Sequence, residues 1–315
     1  MTTYSTASFP SPTGKDIHYH RWMPPSSQKI KAVVQIAHGM AEHAARYDRF
    51  AERLNREGMA VWANDHRGHG LTAGTPEQVG YFEESSFWTE ALGDMHQFLQ
   101  LIRKQHPDCP VFLFGHSMGS LLSRDFISIY GWEIDGVVLS ATAGDPGLFL
   151  KGLGLLVTGL AKTFQGRLKR NPLLDKLTFG EYNQAFRPNR TAFDWLSRDE
   201  AEVDRYVEDP YCGPIFTTGF FNDLIHGALR INRSKAYETT PSDLPVLLIA
   251  GDKDPVGNQS KGVQEVFEKY KKAGLSDVHC KFYPDARHEL LNEINRDEVM
   301  QDIIDWLGER ISRKA

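Results

Sequence analysis

The chain has 315 residues, 41% of them apolar and 24% charged, with a formal net charge of −5. That balance suits a globular protein with a sizeable core, and it offers no basic face for a nucleic acid, which excludes that partner class. The three cysteines, Cys109, Cys212 and Cys280, are odd in number and lack paired spacing, so neither a disulfide framework nor a zinc motif is expected and a reducing, cytoplasmic compartment fits best.

In chain order, Met1 to Pro10 carries no Lys or Arg and no apolar centre, and so does not read as a secretory leader. Residues 16–22 alternate apolar with polar and read as an antiparallel edge pair. Short apolar runs at 32–37, 60–64, 111–114, 137–139, 246–250 and 278–283 read as strands. Between them, Phe87, Ala91, Met95, Phe98 and Ile102 recur at three and four, as do Val263, Val266, Phe267 and Tyr270, and Val299, Ile303, Trp306 and Leu307 form a closing helix. Strands alternating with helices imply an α/β fold, a mostly parallel central sheet flanked by helices. No run reaches the roughly 18 uninterrupted apolar residues of a membrane-spanning helix.

The run at 111–114 leads straight into Gly115-His116-Ser117-Met118-Gly119, and residues 118–130 read as a helix. Strand, sharp turn and helix are the setting of a nucleophile elbow, in which small neighbours let a strained backbone pass while the serine hydroxyl stands clear of the sheet. Ser117 is therefore the candidate nucleophile.

After the next strand the rhythm breaks. From about 145 to 243 no convincing strand appears, and a segment that long is an inserted subdomain rather than a loop. The expected organisation is a core of residues 1–144 and 244–315 with an inserted helical cap of 145–243, lying over the carboxyl ends of the strands, where open α/β sheets bind ligands. Within it, residues 148–164 are apolar nearly all round, with Phe149, Leu153, Leu156, Leu160 and Phe164 on one stripe. Such a helix is either buried or meets lipid. The functional expectation is a lid that touches a membrane surface and admits an acyl chain along Phe149, Leu153, Leu156 and Leu160, helped by Arg167, Lys169 and Arg170. Phe193, Trp195, Tyr206, Tyr211, Phe216, Phe220 and Phe221 read as cap core, several lining an apolar tunnel, and Asp194, Arg198, Asp199 and Asp204 as ties between cap helices.

His38-Gly39-Met40-Ala41-Glu42-His43, Arg46-Tyr47, Asp65-His66-Arg67-Gly68-His69-Gly70 and the Ser117 pentapeptide, in that order, resemble the monoacylglycerol lipase and lysophospholipase branch of the α/β-hydrolases. Ala41 and Ser120 stand where that pattern usually has Gly. In this fold the order is Ser, then Asp or Glu, then His, which leaves His279, inside the last strand, and His288, on the loop after it, as bases; His288 is the candidate. The resemblance places the acid at Asp254, with Asp252 as a competitor better suited to a turn and Asp145 as a weaker one. It also implies an oxyanion hole of two backbone amides, Met118 after the nucleophile and Met40 from the earlier loop. Glu42, His43, Asp65, His66 and His69 are expected to brace loops rather than to hold a metal, and no metal or cofactor is implied. The expected activity is serine carboxylic-ester hydrolysis of a monoacylglycerol or lysophospholipid, against a short-chain esterase or thioesterase, or a silent ligand receptor. Acyl-chain length, headgroup and oligomeric state are not legible.

Overall fold

The computed structural model describes residues 2–82, 86–145, 159, 163 and 166–313. The expected acyl-site residues Phe149, Leu153, Leu156 and Leu160, with nearly all of the apolar run 148–164, lie outside the described residues.

Eight strands form one sheet: β1 (Thr3–Pro10), β2 (Asp16–Met23), β3 (Ala32–Ala37), β4 (Met59–Asn64), β5 (Val111–His116), β6 (Gly136–Ser140), β7 (Val246–Gly251) and β8 (Val278–Tyr283). Their order is β1-β2-β4-β3-β5-β6-β7-β8, with β1, β2 and β4 antiparallel to one another in turn and every later pairing parallel. β3 to β7 are buried at every position, which explains why they read as unbroken apolar runs, whereas exposed β1 left no such signal.

The helices are α1 (Asp48–Arg56), α2 (Gly70–Ala73), α3 (Phe87–Gln105), α4 (Met118–Tyr130), α5 (Pro172–Phe179), α6 (Glu200–Glu208), α7 (Thr218–Ile231), α8 (Ser234–Glu238), α9 (Lys261–Lys272) and α10 (Arg296–Ser312). Strand side chains alternate between faces. Val111 and Leu113 join Phe98 of α3, Phe126 of α4 and Val266 of α9 in one apolar layer, while Phe112 and Phe114 join Phe50 of α1 and Ile303 and Leu307 of α10 in the other.

After β3 the chain turns to β4 on one side of it and later returns as β5 on the other. That reversal puts the loops after β3 and β5 side by side at the carboxyl ends of the strands, the usual ligand crevice of an open α/β sheet. Both Met40 and Ser117 follow these strands.

Between β6 and β7 no sheet strand occurs among the described residues, only the isolated bridge Arg170–Thr217. The segment divides by packing. Phe216, Phe220 and Phe221 belong to the main apolar layer, with Phe220 4.4 Å from Phe87, and Gly227 lies so close to Trp88 that an added Cβ would sit 2.0 Å from its ring. Trp195, Leu196 and Tyr206 instead form a small cluster of their own. Arg198 and Asp199 tie this segment to the core, through Glu293 and Arg296, while Asp204 pairs with Arg190 within it. Arg167 pairs with Asp223 inside the segment, whereas Arg170 donates to the Ile215 carbonyl and also to that of Val79, fastening the segment to the core.

Candidate active site

Ser117 occupies the turn between β5 and α4 with φ 51° and ψ −119°, a backbone conformation that L-residues adopt only under constraint. The constraint is visible in its neighbours. A Cβ on Gly119 would lie 2.0 Å from the Ala37 carbonyl oxygen, and one on Gly115 would lie 2.3 Å from Ser123 Oγ. Only glycine lets α4 close onto β3 and β5 this tightly. The Ser117 amide donates to the Ser140 carbonyl at 2.9 Å, anchoring the turn to β6.

The Ser117 hydroxyl lies 2.9 Å from His288 Nε2, and His288 Nδ1 lies 3.0 Å from both carboxylate oxygens of Asp254. Nδ1–H donates to the carboxylate, so Nε2 is left to accept from the serine. Asp254 is wholly buried, and one of its oxygens also accepts from the Val256 amide at 2.9 Å. Burial pulls the His288 imidazole down, but the Asp254 charge and hydrogen bond outweigh it and the net direction is up. The loop carrying His288 is held by the segment between β6 and β7: the Glu289 amide donates to the Leu196 carbonyl at 2.7 Å, and the Trp195 ring lies 5.0 Å from that of His288. Asp252 instead accepts from the Asp285 amide at 2.8 Å, closing a turn. His279 is exposed and bonds Asp277, and Asp145 lines the cavity onto which Ser117 opens.

On the loop after β3, the Gly39 amide donates to Glu42 Oε1 at 2.6 Å. The amides of Met40 and Met118 have no acceptor among the described residues. Both residues line the same cavity as Ser117 and His288. Glu42 also accepts from Tyr47 Oη at 2.9 Å and from Arg46 at 2.8 Å, and Arg46 forks onto both oxygens of Glu289 at 2.6 and 2.8 Å. Arg46 thus ties the loop after β3 to the residue beside His288. Burial pushes Glu289 up, but the Arg46 charge outweighs it and brings the carboxyl to about 2, whereas burial prevails at Glu42 and raises it. In the sequence Arg46 stands in a motif with no sign of this role, and the signal for Glu289 is a carboxylate directly after the candidate base.

The family model described as serine aminopeptidase, S33 matches residues 28–295. The chain belongs to this family. Monoacylglycerol lipase of Mycolicibacterium smegmatis is 28% identical over 309 residues, covering 97% of this chain and 98% of the relative. Mouse monoglyceride lipase is 29% identical over 304 residues, 95% of this chain and 89% of the relative. Among solved structures, a thermostable carboxyl esterase from Bacillus coagulans in complex with glycerol superposes with a TM-score of 0.90 at 29% identity, covering 98% of this chain and 99% of that one. The fold is that of the α/β-hydrolases.

In this S33 family member a cavity of about 960 Å³ opens beside Ser117. Its lining includes the apolar Leu121, Phe179, Phe193, Trp195, Leu224 and Val256, and among its polar residues Asp145, Lys261 and Glu265. Of the aromatics read as cap core, Phe193, Trp195 and Tyr206 face this cavity, whereas Phe216, Phe220 and Phe221 pack inside the main core.

The acidic and imidazole groups after β3 and β4 each meet a loop. Asp65 accepts from the amides of Ala44 and Leu71 at 2.8 and 2.7 Å; His43 lies 2.8 Å from Asp209; His38 Nε2 accepts from the His66 amide at 2.9 Å; and His69 Nδ1 donates to the Arg67 carbonyl at 2.9 Å. His66 and His69 are fully buried, and their Nε2 atoms have no partner among the described residues. Burial, followed by the charge of a neighbouring imidazole, brings both down to about 3.

Proposed function

We propose that the chain is a serine carboxylic-ester hydrolase that cleaves a single-chain lipid ester, a monoacylglycerol or lysophospholipid, through an acyl-enzyme. The observation that carries this reading is the hydrogen-bonded run Ser117–His288–Asp254 opening onto a cavity of about 960 Å³ with an apolar wall. A free hydroxyl is a poor nucleophile at neutral pH, so a base must take its proton as the bond to carbon forms. In this reading Ser117 Oγ attacks the acyl carbonyl, His288 takes the proton and passes it to the leaving alcohol, and Asp254 holds the imidazole and balances its charge. The Met40 and Met118 amides receive the oxyanion. Water activated by His288 then releases the fatty acid.

Residues 145–243 serve as the cap that shapes the acyl site. Exposed Leu168, Leu173 and Leu177 at its surface support a peripheral contact with lipid. Among the described residues no helix is long and apolar enough to cross a membrane, and Cys109, Cys212 and Cys280 are unpaired, which accords with a cytoplasmic setting. The relatives named monoacylglycerol and monoglyceride lipase favour the lipid reading over that of a short-chain esterase.

Fatty-acid release from a monoacylglycerol, a lysophospholipid and a short soluble ester, with Ser117→Ala as the blank, tests it. Lipid turnover lost by about a thousandfold or more in the variant is expected. Hydrolysis of the short ester alone moves the assignment to a general esterase. A folded protein that neither turns over an ester nor reacts with a fluorophosphonate at Ser117 is a receptor.

A further inference from the structure

The loop after β3 and the segment between β6 and β7 meet at a second place, about which the ester chemistry says nothing. The Asp209–Gly213 turn is clipped to the core: the Gly213 amide donates to the Ala41 carbonyl at 3.0 Å, and Tyr206 Oη donates to the same oxygen at 2.9 Å. Asp209 Oδ1 accepts from the Tyr211 amide at 2.9 Å, and the Cys212 amide donates to the Asp209 carbonyl at 3.0 Å. These bonds fix the turn and leave Asp209 Oδ2 facing His43 Nε2 at 2.8 Å. One ligand atom from each of His43, Asp209 and Cys212 lies within 4.8 Å of the other two.

We propose that His43, Asp209 and Cys212 form a binding site for a zinc-class divalent cation that fastens the inserted segment to the loop carrying Met40. An imidazole, a carboxylate and a thiolate are the mixed nitrogen, oxygen and sulfur set that borderline cations take, whereas magnesium and calcium select all-oxygen sites. Three protein ligands leave a fourth position for water, and a solvent cavity of about 470 Å³ borders His43 and Asp209, giving the ion room and access.

The charge balance agrees. Carboxylate and thiolate together neutralise a dication. The cations that line that cavity are each engaged by a carboxylate, Arg46 by Glu42 and Glu289 and both Arg49 and Arg205 by Glu202. A cysteine thiol is ordinarily protonated at neutral pH and ligates only as the thiolate. Binding therefore exchanges the thiol proton for the metal: the S–H bond breaks, sulfur donates its electron pair to the cation, and the proton goes to buffer. Nothing is oxidised or reduced.

Asp209 and Cys212 are remote in sequence from His43, and Asp-Pro-Tyr-Cys has no metal-motif spacing, so His43 reads in sequence as a loop brace and the set is not legible as a motif.

The test uses the full chain, freed of metal by a chelator, titrated with Zn²⁺ and in parallel with Mg²⁺. One Zn²⁺ per chain, about one proton released per ion, no response to Mg²⁺, and protection of Cys212 from alkylation by iodoacetamide are expected. With Co²⁺ a thiolate-to-metal charge-transfer band should appear. Band and stoichiometric binding should vanish in Cys212→Ser and His43→Ala and persist in Cys109→Ser, with circular dichroism verifying that each variant is folded. Absence of stoichiometric binding overturns the proposal, and so does Zn²⁺ binding that leaves Cys212 open to alkylation in the unmutated chain. None of these readouts depends on ester hydrolysis, so the result stands apart from the fate of the proposed activity.

Discussion

At the scale of single residues, the candidate base sets the pH response. As the proposed base His288 must be neutral to act, and the balance of burial against Asp254 holds its pKa above the ordinary imidazole value. Activity should therefore fall as pH drops through that raised pKa, so that kcat/KM has its acidic limb above about 6.5. Replacing Asp254 by Asn removes the charge that raises it and lets an amide N–H face Nδ1, which selects the wrong tautomer. We expect turnover to fall about 10⁴-fold, as for the loss of the orienting acid in other serine triads, with the limb of the residual activity moved to lower pH. A limb that stays in place under D254N would separate it from His288. The buried histidines respond differently. His66 and His69 titrate near 3 in the folded chain and near 6.5 unfolded, so as pH falls below about 6.5 only the unfolded chain takes up their protons. Their contribution is full above that pH and is lost progressively down to about 3. His69→Asn, which can still donate toward the Arg67 carbonyl, should reduce the slope of stability against pH in that window by about one proton, or ~1.4 kcal/mol per pH unit. Urea midpoints at several pH values between 4 and 7 measure the slope (roughly the window of one proton's uptake). An unchanged slope would mean that His69 is not shielded from acid.

At the scale of elements, the turn from β5 into α4 is where local rules and tertiary packing meet. The sequence alone makes the turn readable, because an apolar run, two glycines and a helical period are all local signals. What it does not show is why Gly119 must be glycine: its partner is the Ala37 carbonyl of β3, more than eighty positions earlier, at 2.0 Å from where a Cβ would stand. The close approach involves backbone rather than a flexible side-chain tip, so Gly119→Ala must push α4 away from the sheet. We expect a loss of about 1–3 kcal/mol or more by overpacking, together with slower fluorophosphonate labelling of Ser117. Thermal unfolding and labelling rates measured side by side check this. A variant of unchanged stability and reactivity would show that the elbow has slack. The same contrast explains the other elements. β3 to β7 were legible because they are buried on both faces and so unbroken in apolar character, and their burial settled the sheet. β1 was not, since Thr3–Pro10 exposes most of its length and keeps its place through pairing with β2 rather than through its own composition.

At the scale of the whole molecule, the site is assembled from three distant stretches of chain, and its supports are longer-ranged than its chemistry. Ser117 and His288 are traceable to loops after strands, whereas the choice of Asp254 over Asp252 rests on the family resemblance. The Arg46 fork onto Glu289, which spans 243 positions, follows no period and carries no local signal. The same holds for the region between β6 and β7. Its existence was evident from the broken rhythm, yet its division between core and cavity wall was not, because aromatics that fill a core and aromatics that line a tunnel look alike in sequence. The cavity is where that division acquires a consequence. Ala228 lies on α7, the helix whose other side is fixed against Trp88 through Gly227, and it faces the cavity beside Leu224 and Ile225. A larger side chain there cannot be accommodated by moving the helix, since the Trp88 side is closed. Ala228→Phe should therefore take volume from the cavity and not from the core. If the acyl chain lies along this wall, turnover of a long-chain monoacylglycerol should drop about tenfold or more, the scale set by displacing a few methylenes from an apolar pocket, while a short soluble ester is cleaved at its former rate. Rates for esters of increasing chain length, measured on both forms, decide it: a uniform loss across the series would mean that Ala228 acts through the elbow, and no loss would move the acyl chain to another wall.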